Sequence, residues 1–415
     1  MTIAEVDSGP ICAGTVAYRK FSLALVIAGF ATFSLLYSVQ SLLPVLSRSF
    51  RVSAGEASLV VSLATGPLAI TLIAASVVSD RIGRQRIMAV SLIAGSLLTV
   101  ASAALPGWYT LLLTRFLTGI ALGGIPAVAM AYVAEEVDAS SIGGAMGLYI
   151  AGSAIGGMAG RILVSVLADL LNWRIALGTV GACSLVGAFV FWRVAPPSRS
   201  FASRKHDWAS FCASVRYLAR DAALPWLYSE GFLLMGAFVT VYNYVAFHLL
   251  APPYSLSQTA VGTLFLLYIV GSLSSTWFGK LAGQLGRRRV FWIPIVVFLG
   301  GVALTATQPL ALIIVGVAVV TAGYFGAHSI ASSWVGRRGR ASRAQAAAFY
   351  LFFLYMGSSI LGWAGGIAWS RAGWVGVASF TGLLIAVALL IGLRLVAVKP
   401  LPENEVPQPM GDAAV

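Results

Sequence analysis

Apolar runs of about twenty residues recur along the whole chain, separated by short polar or basic strings. A run of that length crosses the ~30 Å hydrocarbon core of a bilayer as one α-helix. The pattern predicts twelve such spans, at residues 21–45, 56–78, 87–105, 109–133, 143–167, 174–195, 225–250, 257–279, 290–307, 310–335, 345–369 and 374–396. They are called spans one to twelve below. The longest hydrophilic stretch, residues 193–224, falls midway. Within it Trp208, Phe211, Val215 and Leu218 recur at helical spacing, while Asp207, Arg216, Arg220 and Asp221 fall off that stripe. This predicts an amphipathic helix lying in the membrane interface.

One charged string occurs twice. The first copy is Ser79-Asp80-Arg81-Ile82-Gly83-Arg84-Gln85-Arg86. The second runs from Gly279 to Arg289 and contains Gly286-Arg287-Arg288. Gly83 and Gly286 are 203 residues apart, about half the chain. A repeat at half-length implies duplication, and duplicated membrane halves place a solute site between them. The expected fold is therefore an all-α membrane protein with twelve transmembrane helices in two six-helix, pseudo-symmetric domains. The expected divisions are 1–195 for the first domain, 196–224 for the linker, 225–396 for the second domain and 397–415 for a disordered tail.

Composition agrees and excludes other classes. Apolar residues make up 59% of the chain and charged residues 10%, against roughly 25% charged in a soluble domain. The net charge of +13 comes from loops. Of 27 lysines and arginines, 21 fall on the side that holds both termini, and only Arg48, Arg51, Arg174 and Arg371 on the other. Such a bias puts both termini in the cytoplasm. Anionic membrane lipid, not nucleic acid, is the expected partner of that charge. The first apolar run lacks a small-residue cleavage site and is expected to be a span. Cys12, Cys183 and Cys212 form no disulfide framework. Asn172, Asn243 and Asn404 begin no glycosylation sequon, as suits a bacterial inner membrane. No phosphate-binding G-x-x-x-x-G-K-[ST] string is present, so ATP does not drive the protein directly. No His/Cys/Asp cluster suggests a metal, and no nucleophile–base pair suggests an enzyme. No cofactor is expected.

The repeated string resembles the signature of the major facilitator superfamily, G-x-L-a-D-r-x-G-r-r between helices 2 and 3, echoed between helices 8 and 9. Asp80, Arg81, Gly83, Arg84 and Arg86 match it, with Ser76 at the leading glycine. Gly279, Leu281, Gly286, Arg287 and Arg288 match in the second copy, where Gly283 replaces the acid. Two more strings resemble the twelve-helix drug:proton antiporter branch. Leu111 to Gly119 resembles l-x-x-x-R-x-x-q-G, with Arg115 at the arginine and Thr118 for glutamine. Gly152 to Arg161 resembles G-x-x-x-G-P-x-x-G-G, with Gly157 for proline and Arg161 for the last glycine. The resemblance implies alternating access between two rocking halves, with helices 1, 4, 7 and 10 around the cavity. Asp80, Arg81, Gly83, Arg84, Gly286 and Arg287 are then gating residues, with Glu135 or Glu136 as partners. Gly152, Gly156 and Gly160, spaced by four, also read as a smooth face that lets another helix approach closely.

Charges within spans carry the sharpest expectations, since each costs at least ~2.5 kcal/mol at mid-membrane. Arg115 is a candidate for coupling or substrate binding, and also for capping carbonyls. Arg161 lies at a similar depth, and its role is open between ligand contact and snorkelling outward. Glu230 is the one acid plausibly inside a span, shallow on span seven. It is a candidate proton carrier, or an interfacial partner of the Arg216–Arg220 region. His328 in span ten is the other titratable candidate. Tyr37, Gln40, Tyr242, Asn243 and Tyr355, with Tyr244, Tyr268 and Tyr350, form the neutral polar set of a solute cavity or of ordinary packing. The leading expectation is a monomeric secondary transporter running proton-coupled efflux of a drug, sugar-like or other organic solute. The alternative is uptake or facilitated passage of a sugar or organic anion. A membrane sensor or channel is a third reading.

Overall fold

A computed structural model describes residues 10–198 and 208–399; the side chains of residues 76–82 and 208–210 lie outside that description. The expected tail from Pro400 falls outside it as well. The described residues hold eleven apolar helical stretches long enough to cross a membrane. The last, Arg340–Val396, contains 57 residues. Straight, it would reach about 85 Å, nearly three times the bilayer core. It breaks at Ala372 (φ −146°, ψ 23°) and Gly373 (φ 54°, ψ −139°), the latter in a region that glycine enters without steric cost. Counting its two limbs as spans eleven and twelve gives twelve spans.

Span one, Val16–Phe50, is longer and less regular than expected. An α-helix runs Val16–Tyr37, tightens to a 3-10 turn over Ser38–Leu42, and resumes as Leu43–Phe50 with Pro44 in its first turn. Proline lacks the amide a continuous helix needs and fits best near a helix start. The remaining first-half spans are Ala54–Ile82, Arg84–Ala104, Trp108–Glu136, Ile142–Leu170 and Trp173–Val194. The second half follows with Leu224–Leu250, Gln258–Leu285, Arg287–Thr305 and Leu310–Arg338.

The duplication is visible in the backbone. Gly83 adopts φ 101°, ψ 142° and Gly286 adopts φ 90°, ψ 134°. Each permits the tight turn between two antiparallel spans. The arginine after each glycine reaches the end of the fourth span of its own half. Arg84 pairs with Glu135 (2.7 Å), and Arg287 donates to Ser333 Oγ (2.9 Å).

Each half closes on glycines. A Cβ on Gly152, Gly156 or Gly160 would come within 2.6, 2.2 or 3.0 Å of span one's backbone at Val26, Phe30 or Ser34. Ser34 Oγ donates to Gly156 O across this seam (2.7 Å). In the second half, Gly357 stands against Phe232 O at 2.0 Å by the same measure. The helix Trp208–Arg220 is present as expected. It rests partly on the protein, with Leu218 1% exposed. Ser214 Oγ accepts from Ser342, and Asp221 pairs with Arg338.

The two halves meet at the face opposite the termini. Gln258 Nε2 donates to Ser41 O (2.6 Å), and Thr259 Oγ1 to Asp169 (2.7 Å). Ser359 Oγ donates to Ser62 O (2.8 Å). Gly55 and Gly366 touch so closely that a Cβ on Gly366 would lie 2.2 Å from Gly55 Cα. The face that carries both termini is stapled within each half instead, through Arg84–Glu135 and Arg338–Asp221.

Candidate functional site

The centre of the seam is a hydrogen bond between Gln40 and Asn243, both buried. Gln40 Nε2 donates to Asn243 Oδ1 at 2.7 Å. These residues are 203 apart, the same offset as Gly83 and Gly286. They are therefore equivalent positions of the two halves, joined across the pseudo-two-fold axis. Arg161 fixes which way both amides point. Its Nε and Nη2 donate to Gln40 Oε1 at 2.9 and 2.7 Å, and its Nη1 to Gly157 O at 2.8 Å. Arginine only donates, so Gln40 must turn its oxygen to Arg161 and its nitrogen to Asn243. Asn243 then presents its oxygen, and its Nδ2 has no hydrogen-bond partner among the described residues.

Aromatic rings enclose the guanidinium. Its carbon lies 4.6 Å from the Tyr37 centroid, 4.7 Å from Phe265 and 5.2 Å from Tyr268. Such rings attract a cation through their quadrupole. Arg161 is 3% exposed, and no carboxylate pairs with it among the described residues. The hydroxyls of Tyr37 and Ser358 face each other short of hydrogen-bond geometry. Tyr355 and Tyr149 complete this side, both buried.

A wall of stacked rings leads from this site into the second half. Tyr268 packs on Phe238 at 5.8 Å and Phe238 on Tyr324 at 4.1 Å. Tyr324 stacks on His328 at 5.7 Å and His328 on Tyr350 at 5.6 Å. His328 Nδ1 and the Tyr350 hydroxyl are 2.9 Å apart. Glu230 lies within electrostatic reach of that hydroxyl. Its side chain is 0% exposed, and neither carboxyl oxygen has a hydrogen-bond partner among the described residues. Glu230 lies six residues into span seven, close to the helix start. Span seven begins at Leu224, but its first turns are covered by spans eleven and twelve, with Tyr350 against Gly231 and Gly392 beside the carboxyl.

Arg115 lies elsewhere. It is 0% exposed and spends its nitrogens on carbonyls: Val60 O (3.1 Å), Leu35 O (3.0 Å) and Leu36 O (2.6 Å). The last two belong to the final turn of the helix that ends at Tyr37, where backbone acceptors lack intrahelical donors. Arg115 so caps the break in span one. Neither Glu230 nor His328 is among these partners. Tyr242, expected at the cavity, stacks on Phe265 at 5.2 Å and meets Tyr268 edge-on at 5.4 Å, two of the rings around Arg161, while its hydroxyl bonds Thr321 at 2.8 Å. The side chains of Asp80 and Arg81 lie outside the described residues.

The structure thus brings together Tyr37, Gln40, Arg161, Tyr242, Asn243 and Tyr355, and separately Glu230 and His328. Phe265, Tyr324 and Ser358 were missed in the sequence, since one more ring or hydroxyl in an apolar span carries no signal. Among the described residues no His/Cys/Asp/Glu group is placed to hold a metal ion.

The comparisons agree with this architecture. The profile of the Major Facilitator Superfamily matches residues 25–276. The inner membrane transport protein YnfM of Escherichia coli is 42% identical over 382 residues, 92% of each chain. The uncharacterized MFS-type transporter YybF of Bacillus subtilis is 41% identical over 391 residues, 94% of this chain and 97% of its own. More distantly, a probable sugar efflux transporter of Helicobacter pylori is 22% identical over 289 residues, 68% of this chain and 71% of its own. Among solved structures, the nucleoside transporter NupG superposes with a TM-score of 0.74 at 16% identity, over 91% of this chain and 99% of that one. With its sequence profile, relatives and twelve-span fold in agreement, this chain is a multi-pass membrane transporter and belongs to the major facilitator superfamily.

Proposed function

We propose that the protein moves a small organic solute outward by alternating access, driven by proton exchange. The observation that carries this is Glu230. An intramembrane carboxyl with no cation beside it is costly and adds nothing to packing, and its natural chemistry is to take and release a proton. Tyr350, His328 and the ring wall lie between it and the amide pair where the halves meet. Solute binds at Tyr37, Gln40, Asn243 and Tyr355. The outward direction is taken from the Helicobacter pylori relative, a probable sugar efflux transporter.

The basic face is the cytoplasmic one, so the seam is closed to the outside in this conformation. On reversal, Asp80 and Arg84 help close the cytoplasmic side. The functional units are the halves 1–195 and 225–396, acting as a monomer in a bacterial inner membrane, with anionic lipid against the basic loops.

The test uses purified protein in sealed vesicles and a panel of labelled sugars, nucleosides and aryl carboxylates. Glu230→Gln and His328→Ala are each expected to abolish pH-driven flux while solute exchange at equal pH survives. Normal pH-driven flux in both variants contradicts proton coupling at these groups and favours a facilitated carrier.

A further inference from the structure

We propose that the solute carries a carboxylate or similar planar anion, that Arg161 binds it through its Nε/Nη2 edge, and that Gln40 is the stand-in ligand the anion displaces. This rests on the transporter reading and on the seam being its solute site.

The Nε/Nη2 edge of a guanidinium presents two parallel N–H groups, a fork that matches the two oxygens of a carboxylate. Here a single neutral oxygen, Gln40 Oε1, takes both bonds at 2.9 and 2.7 Å. One amide oxygen so sits where a bidentate anion fits better. The charge of Arg161 meets no acid among its described partners; a carbonyl, an amide and three rings hold it. A buried cation without a counter-ion is costly to keep, and an arriving anion removes that cost.

The surroundings favour an acceptor-rich guest. The Asn243 amide nitrogen is fully buried, has no hydrogen-bond partner among the described residues, and can only donate. The buried hydroxyls of Tyr37 and Ser358 have no hydrogen-bond partner among the described residues either. The rings of Tyr37, Phe265 and Tyr268 around the guanidinium suit a planar body attached to the anion.

Displacement has a mechanical consequence. Gln40 holds Arg161 with its oxygen and Asn243 with its nitrogen. An anion that takes the Arg161 fork frees Gln40 and loosens the bond between the two halves at their axis. Occupancy is thereby linked to the seam that must open for release.

The experiment measures thermal shifts and vesicle flux of the full chain against matched aryl carboxylates and their primary amides. Carboxylates are expected to bind and move, and the amides to bind at least tenfold more weakly. Arg161→Gln should erase that tenfold preference, and Arg161→Lys, which lacks the fork, should lose most of it. Gln40→Glu supplies a tethered carboxylate to the same edge. That variant should fold, unfold at a higher temperature than the parent, and no longer respond to the panel. It keeps the test sound if the Arg161 variants misfold. Equal binding of amides and carboxylates, or a Gln40→Glu protein that still binds carboxylates normally, overturns the proposal. Flux of neutral sugars or nucleosides unaffected by Arg161→Gln also overturns it while leaving the transporter reading intact. No flux of any panel member would count against both.

Discussion

Arg115 in the first half and Glu230 in the second are both fully buried charged residues, and their surroundings are opposites. Both are 0% exposed. Arg115 meets three carbonyls, two of which need a donor because span one breaks at Tyr37. Glu230 meets no hydrogen-bond donor among the described residues. Burial alone therefore does not mark function. A buried charge whose bonds are all made holds the fold, while one left without bonds is kept for something that comes and goes. Arg161 stands between these extremes, bonded through an amide that another ligand can replace.

That contrast breaks most readily at Arg115. Arg115→Ala strands three buried acceptors, at about 1–3 kcal/mol each, so a loss of about 3–5 kcal/mol is expected. Unfolding in mixed micelles measures it. A loss below about 1 kcal/mol would show that the carbonyls find other donors. Glu230→Leu should do the reverse. Exchanging an unbonded carboxyl for an apolar side chain of similar bulk is expected to leave stability unchanged or raise it by about 1 kcal/mol. Marked destabilisation in the same assay would mean that Glu230 is structural after all. The smallest stability effect is expected at Arg84, whose partner Glu135 is 30% exposed at its side chain. Arg84→Ala should cost about 1 kcal/mol or less, yet slow flux in vesicles if it helps to close the cytoplasmic side. Unaltered flux would remove Arg84 from the gate.

Much of the fold was legible because bilayer physics writes it plainly. Apolar run length, the loop arginines and the repeated Gly83 and Gly286 turns need no tertiary information. The glycines at 152, 156 and 160 were readable as a packing face for the same reason, and they do face span one. The site was half legible. Gln40 and Asn243 stood out as amides in apolar spans, and their offset of 203 matches that of the glycines. Their pairing across the axis was there to be read. Arg115 was readable in depth but not in partner, because its acceptors are backbone atoms freed by a helix break. Pro44 gives only a faint hint of that break. The enclosure of Glu230 was not legible because distance from a span's end ignores neighbouring helices that cover it, here those carrying Tyr350 and Gly392.

The proposed division of labour is that seam residues contributed by both halves hold the solute and the interior of the second half carries the proton. One assay tests it most directly, solute exchange and pH-driven flux measured side by side in vesicles for Glu230→Gln and Arg161→Gln. The account predicts that Glu230→Gln keeps exchange at equal pH and loses pH-driven flux, whereas Arg161→Gln loses both. Loss of exchange in the Glu230 variant, or intact pH-driven flux in the Arg161 variant, would contradict it.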